Sequence, residues 1–566
     1  MTVLQTAAVQ TAAAFAQAPT DPITAPTIGF SLTAPVLIAL GGAILGILFE
    51  ALLPRRVRYP VQVVLALLTV AAALVWTLLG ANRGDVGVTF GGALAVDTAT
   101  YVMWGVLLVL ALPSLLLMAD KVSEPGGSFV AQAAARIGSH RDRLATRVSA
   151  PMQTEVFPLA LFAVAGMMIF PAATDMVTLF VALEVLSLPL YLLCGLARRR
   201  RLISQESAVK YFLLGAFTSA IFAYGLAMLY GYCGSTQFAA VAAQARAGDS
   251  SDVLLLGGLA LVIVGLLFKA SVGPFHLWTP DVYQGAPTPV TAFMAACTKV
   301  AAFAAMLRVC LVALEPMTWT WQPVLAIIAG ASMVIGSVIG ITQTDMKRML
   351  AYSSVAHAGF ILLGVISMSE AGASATMFYL LTYGMATIGA FAILTVVRKG
   401  DGEASHVGDW AGMAKRSPVL AASMSLFLLS FAGIPLTAGF IGKLSVFTAA
   451  MQAGLGPWVV LAMIATAITA FFYLRIVVVM YFADPVTTSP TPAPVAVAAG
   501  GGQPSAAVGE RRFLAAGAGA PDAPFVVVPG LLTVIVIAVA VIVTLGLGLF
   551  PGPVLDLLTI PVPLLS

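Results

Sequence analysis

The sequence predicts an all-α fold, a polytopic membrane bundle of about fourteen transmembrane helices with two inverted five-helix repeats and discontinuous helices 7 and 12. Three observations support this. Of 566 residues, 60% are hydrophobic and 9% are charged, against roughly 25% charge in a water-solvated domain, so a bilayer must supply the missing apolar solvent. Apolar runs of about 20 residues, enough to cross about 30 Å of hydrocarbon, recur along the chain. Lys and Arg gather in alternate loops, as the positive-inside rule asks of a multi-pass chain.

The first apolar runs are 31–53, 61–81 and 98–119, giving helices 1 to 3. Helices 4 to 8 follow at 154–172, 175–196, 207–232, 252–273 and 288–314. Helices 9 to 13 are 322–343, 349–368, 373–397, 418–451 and 457–483, and helix 14 is 526–550. Residues 1–30 contain no Lys or Arg and so lack the basic start of a secretory signal, and the first run reads as a retained helix. With the N-terminus outside, the inside loops hold clusters such as Arg55, Arg56 and Arg58 or Arg198 to Arg201, whereas the outside loops hold only Arg83 and Arg246. A missed helix would scramble this segregation, so both termini are expected outside.

The chain therefore divides into 1–153 (helices 1 to 3 and a cytoplasmic loop), repeats at 154–314 and 315–483, a linker at 484–525, and 526–566 with helix 14. The linker is rich in Pro, Ala and Gly and reads as a disordered tether. The net charge of +4 is a matter of loop topology and gives no nucleic-acid reading. Cys194, Cys233, Cys297 and Cys310 are isolated, without metal or iron–sulfur spacing, and read as packing residues.

Ionisable residues inside the spans carry the functional signal. A Lys or Asp at a helix centre costs about 2.5–3.5 kcal/mol on insertion scales, so such a residue persists where it meets a cavity, a partner or water. Glu184 stands mid-helix in TLFVALEVLSLPLYLL, and Lys269, Lys299 and Lys443 lie in the apolar runs of helices 7, 8 and 12. Lys210 lies about one turn from the end of helix 6, where snorkelling competes as an explanation. Lysine suits a switchable proton site because burial favours the neutral amine and a nearby carboxylate favours the ammonium. If a carboxylate approaches and withdraws, movement of one charge becomes movement of a proton.

Two of these lysines adjoin helix breaks. Gly273 and Pro274 follow Lys269, and Gly433, Pro435 and Gly439 precede Lys443. Proline removes a backbone hydrogen bond and glycine relaxes the chain, so helices 7 and 12 should be discontinuous. Each is fourth in its five-helix series, and because five is odd the two series start on opposite sides. That is the arrangement of an inverted repeat with ion sites at broken helices. His276, just past the first break, and His357, among Tyr352, Ser353 and Ser354, are candidate proton relays for which interfacial placement or packing is an equal account. Arg308 and Arg475 lie toward span ends and read as snorkelling or structural residues.

The segments GMMIFPAATDMVTLFVALEVLSLPLYLL, KASVGPFHLWTPDVYQGAPTPV, DMKRMLAYSSVAHAGF and SFAGIPLTAGFIGK resemble the antiporter-like membrane subunits of respiratory complex I, over roughly residues 154 to 483. Lys443 in helix 12 resembles the N and L types rather than the M type, where a glutamate is expected, and the lack of a long lateral helix after helix 14 argues against L. The resemblance implies that Glu184 pairs with Lys269, that Lys299 is the central relay, that Lys443 is the terminal site toward the outside, and that Lys210 matches a helix 6 lysine. It implies a bacterial inner (plasma) membrane and, as partners, an M-like antiporter subunit and small K-, J- and A-type subunits, besides lipid. NADH, FMN, iron–sulfur clusters and quinone would belong to other subunits, and no cofactor to this one. The sequence shows no nucleotide fingerprint. A subunit of a multisubunit sodium/proton antiporter is the main rival, and a permease for an organic solute the second.

Overall fold

The computed structural model describes residues 28–123, 127–130, 153–198, 200–248, 252–400, 402–484, 523–562 and 564–565. The 120–153 loop falls mostly, and the 484–523 linker almost wholly, outside the described residues. Twelve of the described helices are long and apolar enough to cross a membrane. Helix 4 and the divided helix 12 complete the expected set.

Helices 1 to 3 run Phe30–Leu52, Arg55–Arg83 and Thr98–Met118. The first repeat comprises helix 4 (Val156–Ala172), helix 5 (Met176–Cys194), helix 6 (Arg201–Cys233), helix 7 in two halves (7a, Asp252–Ala270; 7b, Trp278–Gly285) and helix 8 (Thr288–Ala313). The second comprises helix 9 (Thr318–Thr342), helix 10 (Met346–Ile366), helix 11 (Glu370–Val396), helix 12 in two halves (12a, Pro418–Ala432; 12b, Ala438–Gln452) and helix 13 (Gly456–Phe482), and helix 14 is Leu531–Leu549. Helices 2 and 6 begin earlier than their apolar runs because both continue through arginines past the hydrocarbon edge. Helix 14 begins later than expected, since Pro524–Val526 pairs instead with the strand Val397–Lys399, which also pairs with Gly402–Glu403. A hairpin of Gly87–Thr89 and Leu94–Val96 links helices 2 and 3.

The correspondence of the two series is visible in hydrogen bonds. Thr174-Asp175-Met176 opens helix 5 and Thr344-Asp345-Met346 opens helix 10. Asp175 caps the amides of Val177 and Thr178 at 2.7 and 2.9 Å, and Asp345 those of Lys347 and Arg348 at 2.9 and 3.1 Å. The flanking backbone docks in the same way on the segment after the following helix: Met176 N to Thr236 O and Phe238 N to Thr174 O in one repeat, Met346 N to Ser405 O and Val407 N to Thr344 O in the other. Gly166 and Gly336 stand at the same offset before the two aspartates, and a Cβ at either would come within 2.4 Å of a backbone nitrogen of helix 5 or helix 10. Small residues let these membrane helices pack backbone to backbone.

The repeats meet around a fully wrapped centre. The apolar stretches of helices 8 and 11 are 100% buried and that of helix 10 is 94% buried, against 33% for helices 2, 13 and 14.

Candidate functional site

Each helix break leaves carbonyls without an i+4 partner, and these must be satisfied in a medium without bulk water. At the first break Trp278 Nε1 donates to Phe268 O at 3.0 Å, Val272 N returns to Leu267 O, and Ala270 O accepts the Lys299 ammonium at 3.0 Å. Lys299 Nζ also donates to Ser354 O of helix 10 at 3.1 Å. At the second break Phe431 O and Ala432 O both accept from Lys443 Nζ, at 2.9 and 3.3 Å. Gly433 ends helix 12a at φ +79°, Pro435 stands in the exposed loop, and the Gly439 amide returns to Ser430 Oγ. Both lysines are buried and held by the negative ends of half-helices, the dipole arrangement that favours a cation there.

Lys269 sits in helix 7a just before the first break and is 3% exposed. Its ammonium donates to Ser187 Oγ at 2.8 Å and Tyr211 Oη at 3.1 Å. The expected Glu184–Lys269 ion pair is not formed in this conformation. Glu184 Oε1 is buried without a hydrogen-bond partner, although its charge acts on Lys269 electrostatically. The reason is geometric: Glu184 lies on the outer stripe of helix 5 with exposed Val177, Val181, Leu188 and Leu192, whereas Ser187, one turn on, points inward. Tyr211 is stacked on Trp278 with ring centroids 4.6 Å apart, so the hydroxyl that receives Lys269 is fixed to helix 7b.

Between Lys299 and Lys443 stands His357, 1% exposed and within electrostatic reach of both amines. Its Nδ1 meets Tyr379 Oη at 2.7 Å and its Nε2 meets Tyr473 Oη at 3.2 Å, and Tyr473 is hydrogen-bonded in turn to Ser353 Oγ. Tyr383 stacks on the imidazole at 4.6 Å, and Phe360, one turn past His357, lies under the Lys443 ammonium. Lys269, Lys299, His357 and Lys443 thus form a polar line through the wrapped centre, with Glu184 at its outer end.

The family described as NADH:quinone oxidoreductase/Mrp antiporter, TM, matches residues 173–469. A NADH-quinone oxidoreductase subunit N of Saccharopolyspora erythraea is 57% identical over 469 residues, covering 82% of this chain and 91% of that one. The chain belongs to this antiporter family. A second relative, the subunit N of Acidothermus cellulolyticus, is 49% identical over 97% of this chain and 99% of its own. Among solved structures, a chain of respiratory complex I from Thermus thermophilus, solved with bound aureothin, superposes with a TM-score of 0.69 at 32% identity, covering 92% of this chain and 98% of that chain. A chain of the Mrp complex from a Dietzia species reaches a TM-score of 0.74 at 22% identity, over 94% of this chain and 97% of its own, a likeness of fold.

The remaining expected residues of this antiporter-family chain lie around the line. Lys210 is bound to Glu206 at 2.7 Å and Asp281 at 2.9 Å, and Asp281 also holds Arg348 at 2.6 Å, which bolts helix 7b to helices 6 and 10. Half-exposed and doubly paired, Lys210 sits outside the line. His276 is buried beyond the first break, edge-on to Tyr352, with Nδ1 unpartnered. Arg308 does not snorkel: it is 1% exposed and grips Asp97, Thr100 and the carbonyls of Pro171 and Leu565. Arg475 is exposed. Among the described residues no group of three or more His, Cys, Asp or Glu could hold a metal ion. Sequence reasoning missed Ser187, Tyr211, Tyr379 and Tyr473. Serines and tyrosines are ordinary in membrane helices, and the one available signal was the i+3 spacing of Ser187 from Glu184.

Proposed function

We propose that this chain is the N-type proton-translocating membrane subunit of a respiratory complex I in a bacterial inner membrane. It moves protons along the Lys269–Lys299–His357–Lys443 line while NADH oxidation and quinone reduction take place in other subunits. The observation that carries the reading is the pair of buried ammonium sites built from helix-break carbonyls, with His357 between them in electrostatic reach of both. An amine held this way exchanges a proton with a hydroxyl or imidazole neighbour at little reorganisation cost, because its acceptors are fixed in advance. Glu184 acts at the start of the line by approaching or leaving Lys269, a motion its free carboxylate oxygen permits, while His276 and Lys210 have supporting places beside it. M-type and small K-, J- and A-type membrane subunits would be its neighbours. The high identity to subunit N relatives favours this reading over a sodium/proton antiporter subunit, for which the likeness is one of fold.

The test is Lys269→Ala in the assembled complex, in inverted membrane vesicles. NADH:quinone turnover and proton pumping should both fall severalfold while the complex still assembles. Wild-type pumping by an assembled Lys269→Ala complex would remove the role assigned to that lysine. Co-purification with small membrane subunits alone, without flavin and iron–sulfur subunits, would favour the antiporter instead.

A further inference from the structure

On the face that carries Arg200, Lys347 and Arg398, a polar cleft opens between the end of helix 7b, the start of helix 8 and the strands after helix 11. Its cavity of about 40 Å³ holds a few waters, since one needs roughly 10–15 Å³. In the wall of the cleft, Lys347 Nζ meets Glu403 Oε2 at 2.6 Å, with side chains only 5% and 16% exposed. The Thr288 hydroxyl donates to the other carboxylate oxygen, and Arg398 adds its charge nearby. The Lys347 ammonium disfavours the protonated form of Glu403, which therefore takes up a proton far more readily once Lys347 swings away into the cleft.

Inward from this pair lies a corridor of hydroxyls. Lys347 and Ser354 stand two turns apart on one face of helix 10, and Ser354 O holds the Lys299 ammonium. Tyr283 and Tyr383 both adjoin Ser354, and Tyr383 adjoins Thr387. The hydroxyls of Ser354 and Thr387 are buried without a protein partner, the situation in which ordered water completes the bonding. From Thr288 to Lys299 the rise along helix 8 is about 16 Å, a distance bridged by on the order of six hydrogen-bond links of about 2.8 Å.

We propose that Glu403, gated by Lys347, takes up the proton on the basic-rich face and passes it along this hydroxyl corridor to Lys299. The inference rests on the proton-translocating reading above. As Lys347 withdraws, an O–H bond forms at Glu403 with a proton from hydronium in the cleft, leaving water. That bond breaks as a proton is relayed through water and hydroxyls to the lone pair of neutral Lys299 Nζ. Glu403 is again a carboxylate and pairs with Lys347, which closes the path.

The experiment compares Glu403→Gln, Glu403→Asp, Thr387→Val and Lys299→Ala in the assembled complex in inverted vesicles. Thr387→Val removes a buried hydroxyl beside Tyr383 that takes no part in the Lys347–Glu403 pair, so it tests the corridor without disturbing the ion pair. Glu403→Gln should lower pumping and coupled turnover at least about fivefold, Glu403→Asp should restore most of both, and Thr387→Val should lower both about threefold or more. If Glu403→Gln does not assemble, Thr387→Val decides alone. Glu403→Gln and Thr387→Val at wild-type rates with Lys299→Ala inactive would overturn this inference and leave the translocation reading intact. Wild-type pumping by Lys299→Ala would instead overturn the translocation reading.

Discussion

Gly433→Ala isolates what the helix 12 break does for Lys443. Gly433 has φ +79°, and a Cβ there would lie 2.9 Å from Lys443 Cδ and 3.4 Å from its Nζ. The left-handed backbone alone costs an alanine about 1–2 kcal/mol. The new methyl group also displaces the ammonium from Phe431 O or Ala432 O, and a hydrogen bond to a charged group is worth about 1.5–3 kcal/mol. Together these sum to about 2.5–5 kcal/mol, of which the lysine part, about 1.5–3 kcal/mol, lowers the docked population of Lys443 roughly tenfold to a hundredfold. Gly454→Ala is the matched control: its φ is +78° and nothing lies within 4 Å of the new Cβ, so it carries the strain without the lysine. The assay is NADH-driven quenching of a ΔpH-sensitive dye in inverted vesicles, normalised to assembled complex on native gels. Gly433→Ala should pump below about a tenth of the wild-type rate and Gly454→Ala above about half. Equal rates in the two variants would refute the claim that the break exists to hold the amine.

Ser332 receives the Gly273 amide at 2.9 Å and donates to Val355 O at 2.8 Å while fully buried, so it ties the first break to helices 9 and 10. Ser332→Ala orphans the buried Gly273 amide at about 1–3 kcal/mol, while Val355 O keeps its helical bond, and should lower the thermal midpoint of pumping by a few degrees; an unchanged midpoint would refute the tie. At Glu403, burial pushes the carboxyl up, but the Lys347 ammonium, with the Thr288 hydroxyl and Arg398, outweighs it and holds the group below the usual carboxylate range. A depressed carboxyl contributes stability that is complete above its unfolded value of about 4.3 and disappears as pH falls through the folded value. The hairpin around Glu403 should therefore hold from pH 7 to about 5 and loosen only below about 4. The Trp410-dependent fluorescence reports this, because that indole donates to Ala404 O at 2.9 Å beside Glu403. Lys347→Met should move the loss to higher pH.

Helix number, order and the two breaks were legible because hydrocarbon thickness and proline chemistry act locally on the chain. The lysines were legible because an ammonium in an apolar run has no cheap alternative explanation. The partners of those lysines were not. Which hydroxyl receives Lys269 depends on the rotation of helix 5, which presents Ser187 inward and Glu184 outward, and one residue's spacing cannot reveal that before the helices are packed. Of the two readings open for Arg308, snorkelling or structural, the structural one holds, and its position near a span end could not show this because the partner, Asp97, caps helix 3 more than two hundred residues away. Lys347 and Glu403 gave no signal because both lie in loop-like sequence. Their burial comes from strands Val397–Lys399 and Gly402–Glu403 folding over the start of helix 8.

Helices 8, 10 and 11 touch almost no lipid, and they are also the least apolar of the long described spans. The two facts have a consequence for how the protein is made. A span carrying Lys299 or His357 gains less from the bilayer by partitioning than an outer helix does, and wrapping by its neighbours makes up the difference. Helix 11 gains part of that wrapping only late, from helix 14, against which it packs and which is translated after it. Assembly in the membrane is therefore cooperative from the rim inward, and a defect in an outer helix should first appear as loss of the centre to quality-control proteolysis.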